Sequence, residues 1–335
     1  IIGQRVNNVY DINAKTYLLK LSRSVRFILT AILIQNGSGE QKSVLLLESG
    51  ARVHLTEYEW AKNPMPSGFS MKLRKHIRNK KVAQISQIGL DRIVDFQFGF
   101  DEGAYHLIVE FYDRGNMFLT DWTYTILHLL RPWTDANQDV RYAAHEIYPA
   151  DMARPVPDGL RNLKDVNSVE RLSLAVFSHI IGTKGPWTFD RTSDPSMRPV
   201  QKALATQFPY GQATIEHCCR RAQQNVLSEL NRLREKVREG ANVEDDIEFE
   251  KLQKMYAHHW AFALRELLLH IQDRSDKYPD EKGGYVFGKK YSNEEELSSQ
   301  EDFHPFLFEQ LRTKPHTSFD TFNKVSHFAF ELLHH

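Results

Sequence analysis

The residues best placed to do chemistry in this chain are cations. Between residues 60 and 90 there is no Asp or Glu, yet the stretch carries Lys62, Lys72, Arg74, Lys75, Arg78, Lys80 and Lys81. Lys and Arg at helical spacing present a row of charges that displaces condensed counterions from a phosphate backbone. The same pattern also describes a solvated helix face. Directly after this stretch comes Asp91-Arg92, which opens the otherwise apolar run 92–98. Neighbours on a strand point to opposite faces, so the two charges do not pair with each other by default. They mark either a strand edge or turn, or a donor and acceptor offered to a partner.

Other candidates carry less. The turns Gly182-Thr183-Lys184-Gly185 and Pro209-Tyr210-Gly211 can expose backbone N–H groups at a helix N-terminus, a geometry that binds phosphate and that ordinary helix-helix turns share. His258-His259 and His334-His335 are sequence neighbours. On a helix such neighbours point about 100° apart, which does not favour one ion, and no metal site is expected. Cys218 and Cys219 are adjacent, where a disulfide strains against its required Cα separation and dihedral; a reducing compartment fits them. The sequence has no HExxH, GxSxG, GxxxxGK[ST] or GxGxxG, so the usual signals of hydrolase, nucleotide and dinucleotide sites are missing. No cofactor is expected.

The elements that must hold these residues change character along the chain. Alternation and turn residues predict strands over 5–12, 16–21, 43–48, 51–56, 82–88, 92–98, 104–112, 116–120 and 124–130, the pattern of a β-sandwich or barrel-like sheet pair. One helix, 69–79, interrupts them and carries most of the basic stretch. From about residue 152 the hydrophobic period moves from about 2 to about 3.6. Pro155, Pro157 and Gly159 mark a linker. Helices are expected over 169–181, 199–208 and 212–221, the last two as a helix-hairpin-helix. Two antiparallel helices follow, on either side of an acidic turn after Gly240. A hairpin is predicted with strands 285–291 and 303–308, then a last helix, 319–333, capped by Ser318. The domain reading is 1–155 β-rich, 156–280 helical and 281–335 hairpin plus an outgoing helix.

The chain of 335 residues has 41% hydrophobic and 26% charged residues, enough for a packed core. Its net charge of zero argues against a purely electrostatic nucleic-acid binder but leaves room for a local patch. The longest apolar run, FILTAILI at 27–34, falls far short of the roughly 20 residues of a membrane span, so no membrane partner is expected. The start Ile-Ile-Gly reads as a processed chain or one lacking its first residues, with no secretory signal.

Several stretches in order, RVNNVYDINAKTYLLKL, VLLLESGARVHLTEYEW, PSGFSMKLRKHIRNKKV, IGLDRIVDFQFG, AYHLIVEFYDRGNMFLTD, PYGQATIEHC and FHPFLFEQ, resemble the amino-terminal half of the NFACT family. The resemblance runs from residue 5 to residue 333. Segments 25–42 and 184–197 stand outside it. It implies an α+β fold: a glycosylase-like antiparallel β-sandwich domain, a helix-hairpin-helix domain and the root of a coiled coil. It further implies a non-enzymatic factor of ribosome-associated quality control. Such a factor binds large ribosomal subunits carrying peptidyl-tRNA, recruits alanyl- and threonyl-tRNA for carboxy-terminal tailing, and supports a Listerin-type E3 ubiquitin ligase. The expected place is the cytoplasm, with a nuclear pool. By position, the family's Asp-Arg pair for tail elongation corresponds to Asp91 and Arg92. Lys72, Arg74, Lys75, Arg78, Lys80 and Lys81 are the expected RNA-phosphate contacts. A further family Asp would precede Ile1, and a long coiled coil and NFACT-R domain would follow. The alternative reading is a DNA-processing enzyme of formamidopyrimidine-DNA glycosylase-like fold, although an amino-terminal catalytic Pro and a zinc-ribbon Cys set are missing.

Overall fold

The structure is a computed structural model. It describes residues 1–24, 40–135, 140–165, 167–182, 198–208, 210–238, 246–272, 283–289 and 299–331. Several sequence features lie outside these residues: the Thr183-Lys184-Gly185 turn, Pro209, the acidic turn at 239–245, the loop at 290–298 and His334-His335. Two compact units are built on Ile1–Pro155 and Val156–Ala329.

The first unit begins with an antiparallel sheet of β1 (Arg5–Asp11), β2 (Thr16–Ser24), β3 (Glu40–Glu48) and β4 (Arg52–Leu55), in that spatial order. The β1–β2 turn closes where Asn13 Oδ1 accepts the N–H groups of Lys15 and Thr16 at 2.9 and 3.0 Å. Helix α1 (Gly68–Ile77) follows. A second antiparallel sheet comprises β5 (Val82–Gln87), β6 (Ile93–Phe98), β7 (Tyr105–Glu110), β8 (Asn116–Asp121) and β9 (Ile126–Leu129). A short hairpin, β10 (Trp133–Asp135) with β11 (Val140–Tyr142), completes the set.

Period-2 alternation builds the core. Leu19, Leu21, Leu45 and Leu47 from the first sheet meet Leu107, Val109, Met117 and Leu119 from the second, with Phe69, Leu73 and Ile77 of α1 in the same cluster. The intervening residues Ile108 and Phe118 face the other way. They join Ile93, Ile126, Leu129, Tyr142 and Tyr148 in a separate cluster. Burying each of these large apolar side chains contributes about 2 kcal/mol.

Helix α1 starts where it does because Ser67 Oγ accepts from Ser70 N–H at 3.2 Å. Asp11 anchors that cap, accepting Ser67 N–H at 3.1 Å and Ser70 Oγ–H at 2.6 Å. The helix buries Phe69, Leu73 and Ile77, a stripe at four-residue spacing that leaves its other faces to the cations. The cations of the last turn, Arg74 and Lys75, also complement the negative end of the helix dipole.

The second unit is mostly helical: α2 (Asp158–Arg161), α3 (Ser168–Ile180), α4 (Arg198–Gln207), α5 (Gln212–Arg238) and α6 (Asp246–Gln272). Its core takes Leu172, Val176 and Ile180 from α3, Val200 and Leu204 from α4, Ile215, Cys219, Val226 and Leu230 from α5, and Leu252, Tyr256, Trp260 and Leu264 from α6. Both cysteines are buried free thiols, and burial pushes the Cys219 thiol up to about 11. After the helices come β12 (Gly284–Lys289), β13 (Ser299–His304), β14 (His316–Phe319) and α7 (Phe322–Glu331). His217 of α5 holds the loop between β13 and β14, its Nδ1 accepting the Glu309 N–H at 3.0 Å. Among the described residues, no helix is long and apolar enough to cross a membrane.

The architecture is mixed α+β with antiparallel sheets, as the change of period predicts. Several boundaries differ. The predicted helix 212–221 and the first of the two antiparallel helices expected after it form one continuous helix, α5, which runs to Arg238. The second hairpin strand is Ser299–His304 rather than 303–308. The last helix begins at Phe322, because residues 316–319 pair with β12 as a third strand. Ser318 sits in that strand, opposite Tyr285. Thr321 Oγ1 caps the helix instead, accepting the Lys324 N–H at 3.2 Å.

Candidate nucleic-acid interface

The six cations singled out in sequence divide into two groups. Lys72, Lys75, Arg78 and Lys81 are exposed. Arg74 and Lys80 are partly buried and used by the fold. Arg74 Nε donates to the Val9 carbonyl at 2.7 Å, and its guanidinium lies 5.5 Å from the Tyr10 ring centre. Lys80 Nζ donates to the Gly103 carbonyl at 2.8 Å and lies 5.0 Å from the Tyr105 ring centre. These two still contribute charge, but their donors are partly committed.

The structure adds a cation from outside the basic stretch. Lys20 on β2 and Lys62 before α1 lie 5.6 and 5.0 Å from the same Tyr10 ring that Arg74 approaches. Three cations therefore gather around one tyrosine. Lys20 belongs to a strand 40 residues or more before the basic helix, so no spacing rule in the sequence links them. The local field is visible in two histidines. Burial lowers the His76 pKa, and Lys75, Lys72 and Lys80 lower it further. Burial and then Lys72 do the same to His128. Both stay neutral more readily than an ordinary histidine.

Asp91 and Arg92 sit in the turn between β5 and β6, not in the strand itself, since β6 begins at Ile93. Gly89 sets that turn at φ +58, where an added Cβ would come within 2.3 Å of the Arg154 carbonyl oxygen. The turn is tied to the end of the unit. Leu90 N–H donates to the Arg154 carbonyl at 2.9 Å, and Arg154 N–H donates to Asp91 Oδ2 at 3.1 Å. Asp91 is thus a positioning carboxylate. Arg92 is exposed, and its carbonyl accepts Phe111 N–H at 2.8 Å, which leaves the guanidinium facing outward on a fixed backbone. Lys80 and Lys81 precede β5 and Asp91 follows it, so the two groups lie at opposite ends of that strand. Six residues at ~3.3 Å each separate them by roughly 20 Å.

A trio elsewhere in the sheet, with Asp95 and His106 buried and Tyr124 half-buried, has the parts of a catalytic relay without its context. His106 Nδ1 lies 2.9 Å from Asp95 Oδ2, and Tyr124 donates its hydroxyl to the same oxygen at 2.9 Å. The His106 and Tyr124 rings stack at 4.5 Å. This arrangement satisfies a carboxylate that the sheet buries. His258 and His259 lie with ring centres 5.7 Å apart and planes at 78°. Among the described residues, no group of three His, Cys, Asp or Glu side chains could hold a metal ion.

Two antiparallel sheets sharing a core, a helical unit and a cationic helix define the class: an α+β protein with a local cluster of surface cations. The chain belongs to the NFACT family. Residues 29–178 match that family's N-terminal and middle domains. Ribosome quality control complex subunit NEMF of Homo sapiens is 37% identical over 337 residues, covering 97% of this chain and 26% of the relative. The Mus musculus protein of that name is 35% identical over 334 residues, with the same coverage of 97% and 26%. The chain thus spans about a quarter of the length of these curated relatives. Ribosome quality control complex subunit 2 of Schizosaccharomyces pombe is 33% identical over 248 residues, 68% of this chain and 23% of the relative. Two solved structures share the fold. The fibrinogen-binding protein of Staphylococcus aureus has TM-score 0.56 at 15% identity, and the N-terminal part of the fibronectin/fibrinogen-binding protein of Streptococcus suis has 0.53 at 16%. Both cover 99% of this chain and 93% of the solved chain.

Proposed function

We propose that this chain is the RNA-facing part of a ribosome-associated quality-control factor. It binds large ribosomal subunits that carry peptidyl-tRNA and recruits alanyl- and threonyl-tRNA. The ribosome then adds these residues to the carboxy terminus of the stalled chain without mRNA. The factor supports a Listerin-type E3 ubiquitin ligase and works in the cytoplasm. It binds and positions, and the peptide bond is made by the ribosome. Its first unit is read as the glycosylase-like sandwich, α4 and α5 as a helix-hairpin-helix, and α7 as the root of a coiled coil.

The observation that carries this reading is the row of exposed cations Lys72, Lys75, Arg78 and Lys81 in a chain whose relatives bear ribosome quality control names. Phosphate contacts give affinity and register but no sequence information. Selection of particular tRNAs is therefore assigned to directional groups, Asp91 and Arg92 first. Arg offers a planar fork suited to phosphate or base edges and also stacks on bases.

Reversing Lys72, Lys75 and Arg78 to Glu is expected to weaken tRNA binding and to flatten its dependence on salt. Each lost phosphate contact removes roughly 0.7–0.9 from the slope of log K against log salt, so three remove about 2. Equilibrium binding to tRNA from 50 to 300 mM salt is the measurement. A variant that folds normally and keeps the wild-type slope contradicts the assignment. Arg74→Gln should instead lower the melting temperature, because it removes the bond to Val9.

A further inference from the structure

One cleft of the first unit has no part in the account so far. It occupies about 790 Å3 between the β7–β8 turn and residues 130–133, inside the size range of small-ligand sites. Glu110 lines it and is 2% exposed. Tyr148 donates its hydroxyl to Glu110 Oε1 at 3.0 Å, and the Tyr112 hydroxyl bonds the same carboxyl group. An ionised carboxylate offers about four acceptor positions, so two hydroxyls leave about two.

Trp133 also lines the cleft and is 43% exposed. One of its faces stacks on Tyr142, with ring centres 4.7 Å apart and planes at 5°. That contact fixes the indole as a platform and leaves its other face uncovered by Tyr142. The remaining wall is already hydrogen-bonded. Arg131 donates to Ser49 Oγ and to the carbonyls of Arg114 and Gly115 at 2.7, 2.7 and 2.5 Å. Gly115 has φ +61, and a Cβ there would come within 2.0 Å of Gly50 N, so the wall is rigid as well. Arg114 and its neighbour Asp113, both exposed, also line the cleft.

An aromatic plate, a buried acceptor pair and an exposed cation suit a flat ring that carries adjacent N–H donors and a phosphate tail. We infer that this cleft seats an unstacked guanine of a bound RNA. The base stacks on Trp133, its adjacent N1–H and N2–H groups donate to Glu110, and its phosphate meets Arg114. The inference rests on the RNA-binding reading above and extends it. The cleft adjoins the Asp91–Arg92 turn, because Ile93 pairs with Glu110 and Phe111 N–H donates to the Arg92 carbonyl. A base held here would set the register of the RNA that Arg92 contacts.

Two measurements on this chain test it: quenching of tryptophan fluorescence by GMP, AMP, CMP and UMP, and affinity for tRNA. GMP should quench at concentrations at least fivefold lower than the other three. Trp133→Ala should abolish that quenching and weaken tRNA binding about tenfold, the size of one lost base stack, with an unchanged salt slope. Glu110→Gln, which keeps the shape and the platform, should retain quenching and lose the preference for GMP. Wild-type quenching that is absent, or equal for all four nucleotides, overturns the guanine seat. So does a natively folded Trp133→Ala with wild-type tRNA affinity, and in that case the RNA-binding reading stands. If wild-type chain binds no tRNA at all, the RNA-binding reading itself falls, whatever GMP does.

Discussion

Replacing Asp91 and Arg92 together with Ala in the full-length protein is expected to abolish tail elongation while association with large subunits stays near wild type. The geometry separates the two residues. Arg92 is exposed, and among the described residues its contact is through the backbone carbonyl, which accepts Phe111 N–H at 2.8 Å. Arg92→Ala therefore removes the outward fork without disturbing the ladder. Asp91 instead holds the Arg154 N–H at 3.1 Å. Its loss removes one of the two hydrogen bonds that tie the turn to residue 154, leaving Leu90 N–H on the Arg154 carbonyl, and costs about 1 kcal/mol of local stability. Asp91→Asn keeps an acceptor for that N–H and removes the charge, so it should preserve the turn. Arg92→Ala alone is expected to shorten tails as severely as the double variant. Tail length on a stalled reporter, beside co-sedimentation with large subunits, reads both effects. Persistent tails make the pair structural. Loss of subunit binding in a folded variant contradicts the division between positioning and recruitment.

The second large effect is on stability. His217 is 2% exposed, and burial first, then Arg221, pushes its pKa down from 6.5 to about 4, with Glu309 pulling the other way and Arg312 adding the least. A depressed histidine pKa stabilises the folded state fully above the unfolded value near 6.5. That contribution is lost as pH falls from 6.5 towards 4. From pH 7.5 to pH 5 the loss from this one group is about 2 kcal/mol. Protonation also removes the Nδ1 lone pair that receives Glu309 N–H. His217→Gln should be less stable than wild type at pH 7.5 and close the gap by pH 5. Urea unfolding of the second unit at both values is the check. A variant that runs parallel to wild type across this range contradicts the assignment.

Where the sequence was legible, one face of an element was buried at a constant period. Leu19 and Leu21, or Leu107 and Val109, alternate into one core, and Val226, Leu230, Tyr256 and Trp260 keep the helical interval. Strands β10 and β11 are three residues each, too short to show a period, and β14 exists because β12 offers it an edge. Asp91 and Arg92 were legible as adjacent charges, but their placement in a turn depends on the positive φ of Gly89 and on Arg154, 63 residues away. Arg74 and Lys80 looked like the other cations. Their acceptors, Val9 and Gly103, lie 65 and 23 residues away, a distance no local pattern reveals. The Glu110–Trp133 cleft was missed for the same reason: its carboxyl ends one strand and its platform begins another.

The central claim is that the first unit meets tRNA through its cationic helix and the Asp91–Arg92 turn. Ultraviolet crosslinking of the chain to tRNA, with the crosslinked peptides identified by mass spectrometry, tests it most directly when repeated with a lesion-containing DNA duplex as competitor. The account predicts crosslinks within residues 62–81 and at 91–92 that tRNA competes away and the duplex does not. Crosslinks confined to the second unit, or displaced equally well by the damaged duplex, would contradict it and favour the DNA-processing reading.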